Sequence, residues 1–199
     1  MVLNSKTQKK TVVEDGRGAK SCERRVAVFA GSFDPFTVGH MDIVRRASSI
    51  FDELRVLLAV NASKKYLFDV ATRVEMVRTA VAAIPNVKVD CFDGLTVNFM
   101  KTVEARYLVR GIRNASDLDA EQAVAWNNKA IYGGSGEIET VLLLSAQEHL
   151  VVSSTLVREL LKCGTAKSAA EQKTLLSKFV PKNMVSMLLK EFRKIYETV

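Results

Sequence analysis

The residues best suited to chemistry lie in one short segment rich in glycine and aromatic residues. Gly31 allows the backbone to approach a ligand closely, and Gly39 and His40 lie where the unpaired N–H groups of a helix start favour a phosphate. An isolated Gly-His pair is more often packing or chance, but here an apolar run precedes the segment and a helical pattern follows it. The segment therefore predicts a phosphate-binding loop. It reads Gly31-Ser32-Phe33-Asp34-Pro35-Phe36-Thr37-Val38-Gly39-His40.

A run of hydroxyl residues, Ser153-Ser154-Thr155, is the second candidate site and lies at a predicted helix start. Hydroxyl groups together with exposed backbone N–H groups form a cradle for an anion. The alternative is a simple helix N-cap, which on its own would be the more common explanation. The presence of the first segment in the same chain favours the cradle.

Basic residues follow two of the predicted strands. Lys64 comes after the second strand, and Arg110 and Arg113 flank Gly111 and Ile112 after the fourth. Two guanidinium groups around a glycine can fork onto phosphate oxygens in a way that lysine cannot. Single lysines and arginine pairs are also common on solvated surfaces, so their position after strands is what favours a phosphate site.

The pattern of apolar residues indicates which elements position these side chains. Short apolar runs predict strands at 26–30, 54–60, 87–91, 107–110 and 140–144. Helical spacing predicts helices over 43–51, 70–84, 96–103, 117–131 and 153–164, and another that begins at Pro181. This alternation predicts an α/β fold, doubly wound around a mostly parallel five-stranded sheet, with C-terminal helices. Such sheets bind ligands beyond the carboxyl ends of their strands.

Composition narrows the class of protein. The chain has 199 residues, of which 48% are apolar and 26% charged, as is usual for a globular domain. No apolar run reaches the ~20 residues that span a bilayer, and no apolar signal core is present at the start of the chain, so neither a membrane partner nor export is expected. Cys22, Cys91 and Cys163 lack metal-ligand spacing and indicate reduced thiols in the cytoplasm. Cys91, in an apolar stretch, is predicted to fill the core.

The formal net charge of +7 is concentrated near the start of the chain. Residues 1–24 are predicted to be a disordered basic extension, and residues 25–199 a single domain. A basic tail can also contact nucleic acid, so a non-catalytic nucleotide- or RNA-binding module stays as an alternative. If the extension is simply disordered, no nucleic-acid partner is expected. The basic residues among the first 25 are Lys6, Lys9, Lys10, Arg17, Lys20, Arg24 and Arg25.

The two motifs together resemble the signatures of the bacterial phosphopantetheine adenylyltransferases, within the HxGH nucleotidyltransferase superfamily. Relatives that act on nicotinamide mononucleotide or glycerol 3-phosphate usually have histidine where this chain has Thr37. The resemblance covers residues 25–164 and implies a Rossmann-like fold. It departs at Ala120, where the family often has tyrosine, and at 165–177, which resembles an insertion.

The resemblance also implies roles for individual residues. The implied catalytic residues are His40, Lys64 and Arg110. The implied ATP contacts are Gly31, Ser32, Phe33, His40, Gly111, Ile112, Arg113, Glu121, His149, Val152, Ser153, Ser154 and Thr155. The implied phosphopantetheine contacts are Ser32, Lys64, Thr96, Arg110, Asn128 and Glu159.

The implied reaction transfers the adenylyl group of ATP reversibly to 4′-phosphopantetheine, giving dephospho-CoA and pyrophosphate. Mg²⁺ is expected to arrive with ATP rather than in a protein cage, so no metal-ligating residue is predicted. A homohexamer and feedback by CoA are expected from the same resemblance. The alternative is nucleotidyl transfer to another phosphate acceptor, such as nicotinamide mononucleotide or glycerol 3-phosphate.

Overall fold

A computed structural model describes residues 24–60, 64–133, 138–163 and 168–197. Five parallel strands form one sheet in the order β3-β2-β1-β4-β5. The strands are β1 Val26–Gly31, β2 Glu53–Val60, β3 Val87–Asp93, β4 Tyr107–Ile112 and β5 Glu139–Leu144. The predicted five-stranded parallel sheet is therefore confirmed, each strand within a few residues of its expected bounds.

Seven α-helices connect and cover these strands in the described part of the chain. They are α1 Val38–Ile50, α2 Val70–Val81, α3 Thr96–Thr102, α4 Ala115–Tyr132, α5 Ser154–Cys163, α6 Ala169–Leu176 and α7 Val185–Glu197. Short 3₁₀ turns occur at Gln147–His149 and Lys182–Met184. Asp69 caps α2, because its side chain accepts a hydrogen bond from Thr72 N. None of the described helices is both long enough and apolar enough to cross a bilayer.

The sheet is covered on both faces, as a doubly wound fold requires. On one face Ala27 and Phe29 of β1 pack with the buried residues of α1, α2, α5 and α7. On the other face Val28 and Ala30 pack with those of α3. Helix α4 lies on this second side of the sheet, but none of its side chains is fully buried and Trp126 is 65% exposed. The alternation of neighbouring β1 residues between two cores explains why the strand is apolar throughout.

Two expectations about local structure were wrong or incomplete. Cys91 is exposed rather than buried, because β3 lies at the edge of the sheet and none of its residues is fully buried. The segment 165–177, expected to be an insertion without an assigned element, contains α6. Ser168 and Glu171 form a capping box at its start, and Leu176 packs into the first core.

The predicted start of the domain, at residue 25, falls directly before β1. Residues 1–23 are outside the described residues, so the basic extension stays a prediction. Arg24 donates to the buried carboxylate of Glu53 at 2.9 Å, and Arg25 donates to Asp52 through its backbone at 2.8 Å. Both arginines therefore contact the folded domain at the amino ends of the strands, opposite their carboxyl ends.

Candidate active site

Two neighbouring clefts open at the carboxyl ends of the strands, where the fold predicts ligand binding. The first cleft has a volume of about 310 Å³, and the second about 500 Å³. Arg110 and Ala30 line both clefts, so the end of β4 and the end of β1 form the boundary between them. The first cleft is lined by the predicted residues Gly31, Phe33, His40, Arg110, Gly111, Arg113, His149, Val152, Ser153 and Ser154. The second is lined by Thr96, Arg110 and Asn128 among the predicted residues.

His40 is fixed by the cap of its own helix. The Thr37 hydroxyl accepts from His40 N at 3.3 Å, and Thr37 N donates to the ring nitrogen Nδ1 of His40 at 3.1 Å. Because Nδ1 accepts a backbone N–H, the proton of the neutral ring must be on Nε2. The cap therefore selects the tautomer that offers a hydrogen-bond donor on the opposite side of the ring.

The surroundings of His40 also keep its ring neutral. Phe33 and Phe36 pack against the imidazole with ring centroids 5.1 and 5.4 Å away. The pKa of His40 is lowered from 6.5 to about 4, first by burial and then by the positive charges of Arg113 and Arg110. At neutral pH His40 is consequently an uncharged donor rather than a cation.

The loop that leads to His40 has a backbone shape that depends on glycine. A side chain at position 31 would place its Cβ 2.7 Å from the ring of Phe33, so no larger residue fits without displacing that ring. Phe33 itself has a φ of 47°, in the left-handed region. Its ring is 2% exposed and also packs on Phe36. Gly31 and Phe33 together therefore set the floor of the first cleft.

The start of α5 is joined directly to this loop. The Ser154 hydroxyl donates to the carbonyl of Pro35 at 2.8 Å, and Arg158 Nη1 donates to the carbonyl of Asp34 at 2.6 Å. Ser153 accepts from Leu156 N at 3.1 Å, as a helix cap does. The helix cap is thus confirmed for Ser153, and the anion cradle stays a prediction for a helix start that lines the same cleft as His40.

Arg110 in β4 and Arg113 directly after it are each held by an acidic residue of α4. Arg110 donates through Nε to Glu121 at 2.7 Å, and its Nη1 donates to the carbonyl of Ala30 at 2.8 Å. Arg113 donates through Nε to Asp117 at 3.3 Å. Asp117 was missed in the sequence, although an acidic residue in the first turn of a helix is a recognisable signal. These ion pairs fix both guanidinium groups beside the first cleft.

Several predicted site residues lie outside the lining of either cleft in the described part of the chain. Lys64 is exposed in the loop after β2, and Glu159 is exposed on α5. Ser32 offers its carbonyl to Arg73 rather than a side chain to a cleft. The remaining ones are Ile112, Glu121 and Thr155, of which Glu121 bonds to Arg110 and Thr155 accepts from Arg158 at 2.9 Å.

The polar groups around the clefts do not fit a resident metal ion. Among the described residues, no group of three His, Cys, Asp or Glu side chains is placed to hold one. Glu121 and Asp117, beside the first cleft, are already paired with arginines, and Asp93 lines the second cleft as a single carboxylate. Cations, hydroxyl groups and backbone N–H groups are instead the donors that bind phosphate oxygens. The arrangement suits a polyphosphate ligand.

A parallel sheet of order 3-2-1-4-5 with phosphate donors at the carboxyl ends of its strands defines a doubly wound α/β domain of the nucleotide-binding class. Residues 28–160 match the family described as cytidylyltransferase-like. The solved nicotinic acid mononucleotide adenylyltransferase of Plasmodium falciparum, complexed with NaAD, is similar in fold. Its TM-score is 0.60 at 15% identity, and the alignment covers 84% of this chain and 96% of that one.

More similar sequences identify the particular family. This chain is 42% identical to a phosphopantetheine adenylyltransferase of Levilactobacillus brevis, over 82% of its own length and 96% of the relative's. It is 46% identical to one of Latilactobacillus sakei, over 70% of its own length and 84% of the relative's. The chain belongs to the phosphopantetheine adenylyltransferase family.

Proposed function

We propose that the protein transfers the adenylyl group of ATP reversibly to 4′-phosphopantetheine, giving dephospho-CoA and pyrophosphate in coenzyme A biosynthesis. One observation carries the proposal beyond family membership. Arg110 lines both clefts, so a phosphate held by it in the second cleft lies next to a nucleotide in the first. Transfer between two phosphate-bearing substrates requires such a shared boundary.

In the proposed reaction an oxygen of the acceptor phosphate attacks the α-phosphorus of ATP, and the bond from that phosphorus to the bridging oxygen of pyrophosphate breaks. A phosphomonoester has a second pKa of about 6 and is largely ionised at neutral pH, so no general base is needed. His40 donates from Nε2 to the α-phosphate oxygens as their charge develops. Its pKa of about 4 is consistent with this role, because a neutral ring donates without giving up its proton.

The other residues act by position and charge. Arg110 and Lys64 orient the acceptor phosphate, and the start of α5 at Ser153 holds the β- and γ-phosphates of ATP. Thr96 and Asn128 in the second cleft contact the pantetheine arm. Mg²⁺ enters as part of the ATP substrate, because the described residues form no carboxylate cage at the clefts, and no step is assigned to it.

We extend the proposal to assembly and location. A homohexamer is proposed from the family resemblance, and the exposed Trp126 and the absence of buried side chains on α4 support an interface in which a second copy covers this helix. CoA is proposed to compete for the second cleft as a feedback ligand. The sparse cysteines of the sequence support a cytoplasmic enzyme. Light scattering after gel filtration tests the assembly.

Pyrophosphate release is the direct test of the reaction. Purified protein is incubated with ATP or CTP and with 4′-phosphopantetheine, nicotinamide mononucleotide or glycerol 3-phosphate. Release with ATP and 4′-phosphopantetheine alone is expected, together with dephospho-CoA identified by mass. Release with another acceptor would support the alternative acceptors instead. Polynucleotide binding without pyrophosphate release would favour the non-catalytic alternative.

A further inference from the structure

A buried arginine side chain, close to both loops of the site, has no role in the mechanism described so far. Arg73 of α2 is 2% exposed, yet it forms no ion pair with a carboxylate in the described part of the chain. Its guanidinium donates from Nη1 to the carbonyl of Ser32 at 2.7 Å and from Nε to the carbonyl of Phe68 at 3.1 Å. It also stacks over the ring of Tyr66, 3.9 Å from the centroid.

This environment is costly for a charge. A buried guanidinium loses its hydration, and two neutral carbonyls, an aromatic face and the charge of Asp69, which is beyond ion-pair distance, restore only part of that free energy. Its buried neighbours on α2, Val74, Met76 and Val77, are apolar and show that an apolar side chain suits this face of the helix. What an apolar side chain cannot do is hold two carbonyl groups at a fixed separation, which the planar fork of arginine does.

The two carbonyls belong to two loops whose residues are proposed to bind the two substrates. Ser32 lies between Gly31 and Phe33, which line the first cleft. Phe68 closes the loop that follows β2 and includes Lys64, the residue proposed to bind the acceptor phosphate. Arg73 therefore spans from the nucleotide side of the site to the acceptor side.

A second buried residue, which belongs to the first of these loops, accepts hydrogen bonds from the backbone of the second. Asp34 is 4% exposed, and its carboxylate accepts from Leu67 N at 2.8 Å and from Phe68 N at 3.1 Å. Asp34 belongs to the first-cleft loop and Arg73 to α2. Four hydrogen bonds thus connect the loop 31–35, the loop 64–68 and α2 in one buried unit.

We infer that Arg73 is a positioning residue that sets where Lys64, and hence the acceptor phosphate, lies relative to the nucleotide. The inference rests on the proposed function. In-line attack needs the reacting atoms about 3–3.5 Å apart, and a displacement of about 1 Å costs about 100-fold in rate. Arg73 touches neither cleft, so its effect on the reaction passes through the two loops that it joins.

Arg73→Met tests this by keeping the volume and removing the fork. We expect kcat/KM for 4′-phosphopantetheine to fall by about 10- to 100-fold while the dissociation constant of ATP changes by less than about threefold, within the spread of an unaffected site. Arg73→Lys, with a single donor group, should recover part of the loss. Arg78→Met on the same helix is the matched control, because Arg78 is exposed and pairs only with Glu75 among the described residues. It should leave both constants unchanged.

A double-mutant cycle separates positioning from a general loss of structure. In a Lys64→Ala background the Arg73→Met change should add little, because the group that it positions is gone. A full multiplicative loss in that background, or equal losses for ATP and acceptor, would overturn the inference. If Arg73→Met does not fold, the same cycle is made with Arg73→Lys, and its circular dichroism and melting temperature are compared with the wild type.

Hydrogen exchange provides a readout that does not depend on the reaction. The amides of Leu67 and Phe68 should exchange at least about tenfold faster in Arg73→Lys than in the wild type, with the interior amides of α2 unchanged. Unchanged protection of Leu67 and Phe68 would contradict the link even if activity fell. If the wild-type protein released no pyrophosphate with 4′-phosphopantetheine, the proposed function would be wrong. The hydrogen-exchange result would still show whether Arg73 links the two loops.

Discussion

Arg110 and Glu121 form a bidentate ion pair at the boundary between the two clefts. Nε of Arg110 donates to Oε2 of Glu121 at 2.7 Å, Nη2 donates to Oε1, and Nη1 donates to the carbonyl of Ala30. The Glu121 side chain is 14% exposed. The family resemblance implies an ATP contact for Glu121, whereas the geometry gives it a fixed arginine to orient. The two roles predict different kinetic effects.

Glu121→Gln tests which role dominates. A glutamine accepts only one of the two hydrogen bonds and carries no charge, so Arg110 should lose its fixed orientation. We expect kcat/KM for the acceptor to fall by about tenfold, which corresponds to the ~1.4 kcal/mol scale of one charged hydrogen bond. The affinity for ATP, measured by calorimetry, should change by less. Asp119→Asn, at an exposed position of the same helix, is the control. A larger loss for ATP than for the acceptor would support the direct ATP contact.

His40 is expected to contribute mainly to the transition state. Replacement with alanine removes the Nε2 donor and should lower kcat by about 10²- to 10³-fold, with only a small change in ATP affinity. His40→Gln and His40→Asn make a matched pair. The amide nitrogen of glutamine lies about as far from the backbone as Nε2 of histidine, whereas that of asparagine lies only as far as Nδ1. Glutamine should therefore recover more activity than asparagine. Similar kcat values for the wild type and the alanine variant would remove His40 from the mechanism.

Lys64 is expected to act on the acceptor alone. Lys64→Ala should raise KM for 4′-phosphopantetheine by about tenfold or more, because one charged contact to a phosphate is worth about 1.5–3 kcal/mol. KM for ATP should change much less. The chain provides its own control in Lys65, which is also exposed and directly follows it. If Lys65→Ala gave the larger acceptor effect, the alignment of the loop with its relatives would be off by one residue.

The fold could be predicted because each strand carries its own apolar run, bounded by turn residues. Cys91 shows the limit of this approach. A strand at the edge of a sheet has the same apolar composition as a central one, and the order β3-β2-β1-β4-β5 is decided by contacts distant in sequence. Helix α6 was missed although Ser168 and Glu171 have capping-box spacing. Its short apolar pattern is weak, and burial of Leu176 against distant residues stabilises it.

The site was predictable where a motif brings its residues together along the chain. The loop that ends at His40 and the helix start at Ser153 line one cleft, as their chemistry indicates. The contacts that hold these motifs in place were not predictable. Asp34 and Arg73 join segments more than 30 residues apart. Asp34 lies inside the predicted phosphate-binding loop, but nothing in the local sequence indicates that its carboxylate or the guanidinium of Arg73 is buried. Burial, which gives these two residues their role, is a property of the folded chain.

The last prediction concerns the protonation of His40. Its pKa is lowered to about 4 in the folded protein, chiefly by burial, whereas an unfolded histidine titrates near 6.5. Between these values the unfolded chain binds more protons, so the free energy of unfolding should rise with pH through this window. The contribution of neutral His40 is therefore fully present above pH 6.5 and is lost as the pH falls towards 4.

Two measurements check this. Nitrogen-15 NMR of the histidine rings should show His40 with its proton on Nε2 and a titration midpoint below 5; His149→Gln assigns its signals, since the chain has two histidines. Urea unfolding of the wild type and of His40→Gln should show a larger stability difference at pH 7.5 than at pH 5, because glutamine does not titrate. A midpoint near 6.5, or a stability difference that does not change with pH, would mean that His40 is solvated and available as a cation. The uncharged donor assigned to it would then be wrong.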